Sequence, residues 1–411
     1  MSGFATKSIH GSHTKMDAQG TLRPPVYDNV AFEFADAQAI QFAFEGRSLA
    51  HSYSRVSNPT VEEFEHRVRL LSDAIGVIAV SSGMAAISNV ILALAEAGTN
   101  IVTTRFLFGN TCSFFESTLE PWGLEVKYVD MSDSSAVAAA INANTRAVFL
   151  EVITNPQLQL IDLEALARIA HERGVPVVLD GTVTTPYLLK SKDFGVDIEV
   201  ISSTKYISGG ATSVGGLILD NGTFQWSQNP KIAPWAAKFG PNAFLALLRR
   251  EVYRNMGACL SPHNAFLQTL GLETLSLRID KSCANALAVA RWLEQQRPRV
   301  VRVNYPGLES SLYHCLAERV LPRGAGGILT FDLQSREECF ALQNALTLVR
   351  RATNINDNKS LILHPASTIY CEYSPQEQRA MGVSDSMLRF SVGIEDVDDI
   401  LEDLQRGLAA I

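Results

Sequence analysis

Val175-Pro176-Val177-Val178-Leu179-Asp180 is an apolar run that closes on a carboxylate. Nothing in it alternates, so a strand made from it is buried on both faces, as in a parallel sheet covered by helices. Its neighbours repeat the theme. Upstream, Ala147-Val148-Phe149-Leu150-Glu151 is a second apolar run ending in an acid, and the Leu163–Arg173 stretch between the two has helical spacing. Earlier still, Glu62 to Leu71 reads as a helix, Gly76-Val77-Ile78-Ala79-Val80 runs into Ser81-Ser82-Gly83, and Met84 to Ala95 reads as a helix again. Strands alternating with helices put the chain in the α/β class with a mostly parallel sheet. Ligands of such sheets bind outside the carboxyl ends of the strands, which is where Asp180 falls.

On either side the pattern changes. Residues 1–60 are rich in turn formers, with Arg23-Pro24-Pro25 and Ser57-Asn58-Pro59-Thr60, and read as an extended arm. Residues 61–250 carry the strand–helix alternation. Residues 251–411 read as a smaller α+β unit, with helical stretches at Asn264–Leu270 and Ile279–Gln296 and a strand in Gly327–Leu333; helical character already begins at Ala243–Met256. The net charge of −8 and the absence of a basic run argue against a nucleic-acid partner. No run approaches the ~18 apolar residues of a membrane span, and the N-terminus has no apolar signal core. A cytoplasmic enzyme without membrane contact is the expectation. Six scattered cysteines (112, 259, 283, 315, 339, 371) show no zinc-ligand spacing, so no metal is expected; Cys112 lies beside a candidate cofactor loop.

Twenty-five residues beyond Asp180 stands Ser202-Ser203-Thr204-Lys205-Tyr206-Ile207-Ser208-Gly209-Gly210. A lysine at an element end is commonplace, and a strand-end aspartate often caps the next helix. Together, however, they offer what an aldehyde cofactor such as pyridoxal phosphate requires: one amine for a Schiff base, one carboxylate to keep a ring nitrogen protonated, and donors around a phosphate. Lys205 is the amine, Asp180 the carboxylate, and Ser202 and Thr204 are the hydroxyls. Ser82-Gly83-Met84, at a strand-to-helix turn, is an anion-binding geometry. Tyr53 and Arg55 on the arm match phosphate recognition, there or in a neighbouring subunit. Phe108, in Leu107-Phe108-Gly109-Asn110-Thr111, is placed to cover a flat ring. Arg389, charged within Met387-Leu388-Arg389-Phe390-Ser391, needs an anion, from a structural carboxylate or a substrate. Neither phosphate-binding glycine fingerprint is present, which sets aside nucleotide and nicotinamide readings.

In order and spacing these segments resemble the Cys/Met-metabolism family of pyridoxal-phosphate enzymes over nearly the whole chain. The carrying stretches are Tyr53–Thr60, Ser82-Gly83-Met84, Glu151 with Asn155-Pro156, Asp180, Ser202–Gly210 and Arg389–Asp396. The resemblance implies a fold-type-I transferase, with a seven-stranded sheet and a homotetramer built from dimers that share active sites. It implies Lys205 as Schiff-base lysine and proton shuttle, and Asp180 as ring-nitrogen partner. Ser82, Gly83, Met84, Ser202, Thr204, Thr182 and Asn155 would hold the cofactor with Phe108, helped by Tyr53 and Arg55 of an adjacent subunit. Arg389, Ser360 and Asn354 would meet the amino-acid substrate. The Asn354–Thr368 segment looks more like O-acetylhomoserine sulfhydrylases than like γ-synthases or γ-lyases. That implies replacement of acetate on O-acetylhomoserine by a sulfur nucleophile (sulfide, a thiol or a sulfur-carrier protein) to give homocysteine. A γ-lyase or cystathionine γ-synthase is the alternative, and a non-catalytic scaffold a distant one. The chain departs from the family pattern at Phe108, where tyrosine is usual; at Asn110, where methionine γ-lyases carry cysteine; in Glu151-Val152-Ile153-Thr154, which lacks the usual proline; and at Gly181, expected to loosen the Asp180–Thr182 turn.

Overall fold

The computed structural model describes residues 3–11 and 19–411; Met1, Ser2 and residues 12–18 of the expected arm lie outside the described residues. Seven strands form the main sheet: β1 (Gly76–Val80), β2 (Asn100–Thr103), β3 (Glu125–Tyr128), β4 (Thr145–Glu151), β5 (Val177–Asp180), β6 (Ile198–Ile201) and β7 (Gly216–Asp220). Their order is β1-β7-β6-β5-β4-β2-β3, with only β7 antiparallel to its neighbours. The mostly parallel seven-stranded sheet is therefore as the sequence indicates. Val148, Leu150, Val177 and Leu179 pack into one apolar layer with the Pro59–Ser72 helix, and Phe149, Val178 and Ile198 into the other with the Gly83–Leu94 helix. Burial on both faces is why these strands read as continuous apolar runs.

A second sheet of five strands, β8 (Arg302–Asn304), β9 (Ile328–Asp332), β10 (Arg350–Arg351), β11 (Leu361–Leu363) and β12 (Met387–Ser391), has the order β10-β11-β12-β9-β8. It is antiparallel except for β10 with β11. Helices Leu275–Glu294, Arg336–Ala345 and Val397–Ala409 cover it through Ala286, Val289, Leu293, Leu342 and Leu404.

Two elements differ from the sequence reading. The arm contains short helices, Phe4–His10 and Ala37–Phe44. The first is held where Phe4 meets the Tyr187 ring edge-on at 4.9 Å, and the second where the Asp36 side chain accepts from Ala39 N. Neither shows the long amphipathic repeat that betrays a helix in sequence. The Ala243–Met256 stretch is helical throughout but contains a π-helical turn, Leu248–Tyr253, from which Arg249 reaches Glu65.

Arg278 joins the two halves of the chain. From the Leu275–Glu294 helix its guanidinium donates to Tyr206 O and Gly271 O, both at 2.7 Å, with no carboxylate partner among the described residues. Removing it takes a charged donor from two carbonyls, one of them on the Lys205 segment, where Tyr206 O keeps only a long bond from Gly209 N at 3.4 Å. Arg278→Met is expected to destabilise the protein by roughly 2–4 kcal/mol, measured by denaturant unfolding; an unchanged midpoint would show that these carbonyls find other donors.

Candidate active site

The ladder fixes the acids. Glu151 is opposite Asp180 at the carboxyl ends of β4 and β5, and Asp180 is opposite Val200 in β6. After Ile201 the chain turns over the sheet edge. Ser202 N donates to Thr182 Oγ1 at 2.8 Å, and the Thr204 hydroxyl exchanges hydrogen bonds with Gly215 N and O. Tyr206 is driven into the core, its hydroxyl 3.1 Å from Ser282 Oγ, and Gly209 closes the turn in the left-handed region at φ 86°. With the next side chain buried, Lys205 projects the other way, into a cavity of about 290 Å³. Ser82, Gly83, Met84, Phe108, Asn155, Asp180, Thr182, Ser202, Thr204, Lys205 and Arg389, dispersed over three hundred residues of sequence, all line it.

Each charged group there is poorly matched. Lys205 Nζ donates to Asn354 Oδ1 at 2.6 Å; burial and the nearby Arg389 charge lower its pKa to about 8, against the pull of Asp357. Asp180 accepts from Thr182 N at 2.9 Å, and burial raises it above the usual carboxylate range. Glu151 is pushed well up by burial and by Asp180 beside it, although Phe108 N and Asn155 N donate to its two oxygens at 2.7 and 3.0 Å. Arg389 is 2% exposed and meets only neutral acceptors: Asn155 Oδ1, Thr353 O and Asn354 O. Its Nε has no partner, and burial lowers its pKa to about 10. Among the described residues, then, no structural carboxylate answers Arg389. A guest carboxylate remains.

Not every expected residue reaches this cavity. Tyr53 is 44% exposed, and Arg55 leans over its ring while donating to Arg254 O, so neither serves the site of its own chain. Ser360 is a correction: it is fully buried, with its hydroxyl donating to Glu395 and accepting from Gly393 N, and it clamps a loop rather than facing substrate. Asn354 does enter, through Lys205. Cys112 is core, its thiol pushed up to about 12 by burial and neighbouring acids. Ile87, Thr111, Ile153, Val183, Val214, Thr353 and Ile355, with Glu151, complete the wall unanticipated. Glu151 was visible as a charge ending an apolar strand, the signal that picked out Asp180; the others bear no local mark.

The sequence profile of the Cys/Met metabolism PLP-dependent enzymes matches residues 5–409. The chain belongs to that family. A homocysteine synthase of Schizosaccharomyces pombe is 36% identical over 98% of this chain and 98% of its own. A solved O-acetylhomoserine sulfhydrylase from the methionine biosynthetic pathway of Wolinella succinogenes is 50% identical, with a TM-score of 0.77 over 86% of this chain and 98% of that one. A putative O-acetylhomoserine (thiol)-lyase of Campylobacter jejuni, solved with a pyridoxyl-lysine monophosphate, is 31% identical with a TM-score of 0.94 over 99% of this chain and all of the other.

The cavity fits the family's cofactor. Gly83 opens the 12-residue Gly83–Leu94 helix, whose cap is the Ser82 side chain, so free N–H groups point at the cavity. A Cβ on Gly83 would stand 2.7 Å from Ser202 Cβ, so only glycine lets this turn and the lysine segment close together around a phosphate. An amine, a carboxyl and an aromatic face complete the donor set. Capture of an aldehyde needs neutral Lys205, and the neutral fraction grows as pH rises through its pKa. Reconstitution of cofactor-free protein with pyridoxal phosphate should therefore accelerate up to about pH 8 and then level off; a rate flat from pH 6.5 to 9 would refute this protonation state.

Proposed function

We propose that the protein catalyses γ-substitution on O-acetyl-L-homoserine, replacing acetate by sulfide or another small sulfur nucleophile to give L-homocysteine. The observation that carries it is Arg389, a buried guanidinium with no counter-charge, facing the same cavity as Lys205 and Asp180. That arrangement receives the α-carboxylate of an amino acid beside a proton-transferring amine. The 50% identity to a sulfhydrylase favours sulfur as the nucleophile.

Pyridoxal phosphate, when bound, supplies the electron sink that lets protons leave the substrate's α and β carbons. The remaining work belongs to the chain. Arg389 forks the carboxylate and, with Asn155, fixes which Cα bond faces Lys205. Lys205 Nζ takes the Cα proton and later returns it; its lowered pKa leaves a useful neutral fraction near neutrality. With the cofactor bound, Asp180 would hold a proton at its ring nitrogen and Phe108 would offer it an aromatic face. Ile87, Ile153, Val183, Val214 and Ile355 shield the reacting carbons from water, so that sulfur rather than hydroxide adds at Cγ after the C–O bond has broken and acetate has left. Because Phe108 has no hydroxyl, proton transfer falls more heavily on Lys205. Ser82, Gly83, Ser202 and Thr204 bind the phosphate.

Tyr53 and Arg55 complete that phosphate site in a second copy, within a tetramer of shared active sites. Their absence from the lining of their own cavity supports this, as do the bare apolar side chains of the arm, where Leu22 and Leu49 are fully exposed and Phe44 is 78% exposed. Sulfide is the simplest donor; a thiol or a carrier protein delivers the same bond change.

O-acetylhomoserine given to the holoenzyme should yield homocysteine only with sulfide present. Release of 2-oxobutanoate at the same rate with or without sulfide would mean γ-elimination instead. Lys205→Ala should abolish both the yellow absorption and turnover. Arg389→Lys should raise KM for the amino acid at least about tenfold with a smaller change in kcat, since one of two parallel hydrogen bonds to the carboxylate is lost.

A further inference from the structure

Gly181 stands between Asp180 and Thr182 without a side chain, yet the space beside it is filled. A Cβ built there would collide with the Glu199 carboxyl, whose Cδ lies 2.8 Å from that point. The turn is therefore not loosened, as the sequence suggested; a neighbouring strand packs it. Glu199 faces Leu179 in the β5–β6 ladder and is 1% exposed. One oxygen accepts from the Ser191 hydroxyl, which in turn accepts from Asn221; the other, against Gly181, has no hydrogen-bond partner. No cation among the described residues pairs with Glu199. The lysines of the adjacent segment are committed elsewhere, Lys190 to the Asp73 carboxylate and Lys192 to its carbonyl. The titratable groups around this corner are Asp180 from β5, Glu151 beyond it on β4, Asp220 from β7, and Asp197 just before β6, which is bound to His171.

A buried carboxyl with a bare oxygen and no counter-charge is a poor choice for packing alone, since an apolar side chain fills such a space at lower free energy. We propose that Glu199 is a positioning residue for Asp180. Its carboxyl occupies the space of a side chain at 181, backs the Asp180–Thr182 turn, and adds negative charge behind the carboxylate that keeps the cofactor's ring nitrogen protonated. This rests on the role given to Asp180 above. Burial, followed by the Asp180 charge, lifts Glu199 to about 7 in the cofactor-free chain. A cationic ring held by Asp180 draws Glu199 toward its ionised form, so cofactor and acid stabilise each other's charge.

Glu199→Gln keeps the volume and removes the charge. In the holoenzyme, the pH midpoint of the visible absorption band should fall by roughly half a unit or more, because a charge favouring the protonated cofactor is gone. The cofactor-free protein gives an independent reading. A carboxyl whose folded pKa lies above its unfolded value stabilises fully at low pH, and that contribution is lost as pH rises from about 4.5 through about 7. The Tm of E199Q should therefore fall less than the parent's over this interval. In a double-mutant cycle, Gly181→Ala alone should lower Tm, and Glu199→Ala in the same chain should recover part of that loss. An E199Q protein with the parent's absorption midpoint and the parent's pH–Tm slope overturns the proposal, and strict additivity of the two alanine changes overturns the shared space. A parent protein that takes up no pyridoxal phosphate instead removes the role of Asp180, which separates the two failures.

Discussion

Glu151 and Asp180 end neighbouring strands of the main sheet, Glu199 stands one register position back in β6 against Gly181, and no cation among the described residues is paired to any of the three. The pairing of β4 with β5 sets the first two side by side at their carboxyl ends, and the pairing of β5 with β6 puts Glu199 opposite Leu179. Buried charge without compensation is unfavourable, so each acid shifts toward its protonated form. Across the cavity, Lys205 and Arg389 are the mirror image, cations answered only by amides and carbonyls. The two sets do not neutralise one another. The site is thus preorganised for guests that bring the missing charges, a cationic ring nitrogen for the acids and anionic groups for the bases. The free energy that tolerates this arrangement comes from the apolar layers on both faces of the sheet.

Glu151 shows how few residues coordinate the whole. Its two oxygens accept from Phe108 N and Asn155 N. Phe108 lines the cavity, and the Asn155 side chain accepts from Arg389. One side chain therefore sets the height of the aromatic cover and the direction of the carboxylate receptor together. On the opposite wall, Arg278 and Tyr206 fasten the underside of the lysine turn to the Leu275–Glu294 helix. Lys205 is held from beneath while its own amine stays free to change partners, which a proton carrier requires.

Legibility in the sequence follows how local the cause is. The strand Gly76–Val80 and the ends of β4 and β5 were plain, because burial on both faces writes an uninterrupted apolar run that a carboxylate terminates. Lys205, Asp180 and Arg389 stood out as charges where a buried strand or tight turn forbids ordinary ones. Ser360 misled, since its family position says nothing of the Glu395 carboxylate that takes its hydroxyl. The arm's helices are too short to show a period. Glu199 was invisible in a different way. It interrupts Ile198-Glu199-Val200-Ile201 just as Arg389 interrupts its own strand, but its meaning depends on a missing side chain eighteen positions earlier. Only the β5–β6 register brings the two together.

The cavity wall contains one sulfur atom, and it is a thioether. Met84 is the sulfur-bearing side chain among the lining residues, while Cys112, the cysteine nearest in sequence to the Phe108 loop, is buried with its proton firmly held. A thiolate in the wall would compete with an incoming sulfur nucleophile for the same electrophilic carbon, and would itself be open to persulfidation or disulfide exchange. The chain avoids both hazards. Alkylating reagents are accordingly directed to the exposed Cys315 and Cys371, neither of which lines the cavity. The oxidative weakness of the site lies instead with Met84, where a sulfoxide would set a new dipole in the cavity wall at the start of the Gly83–Leu94 helix.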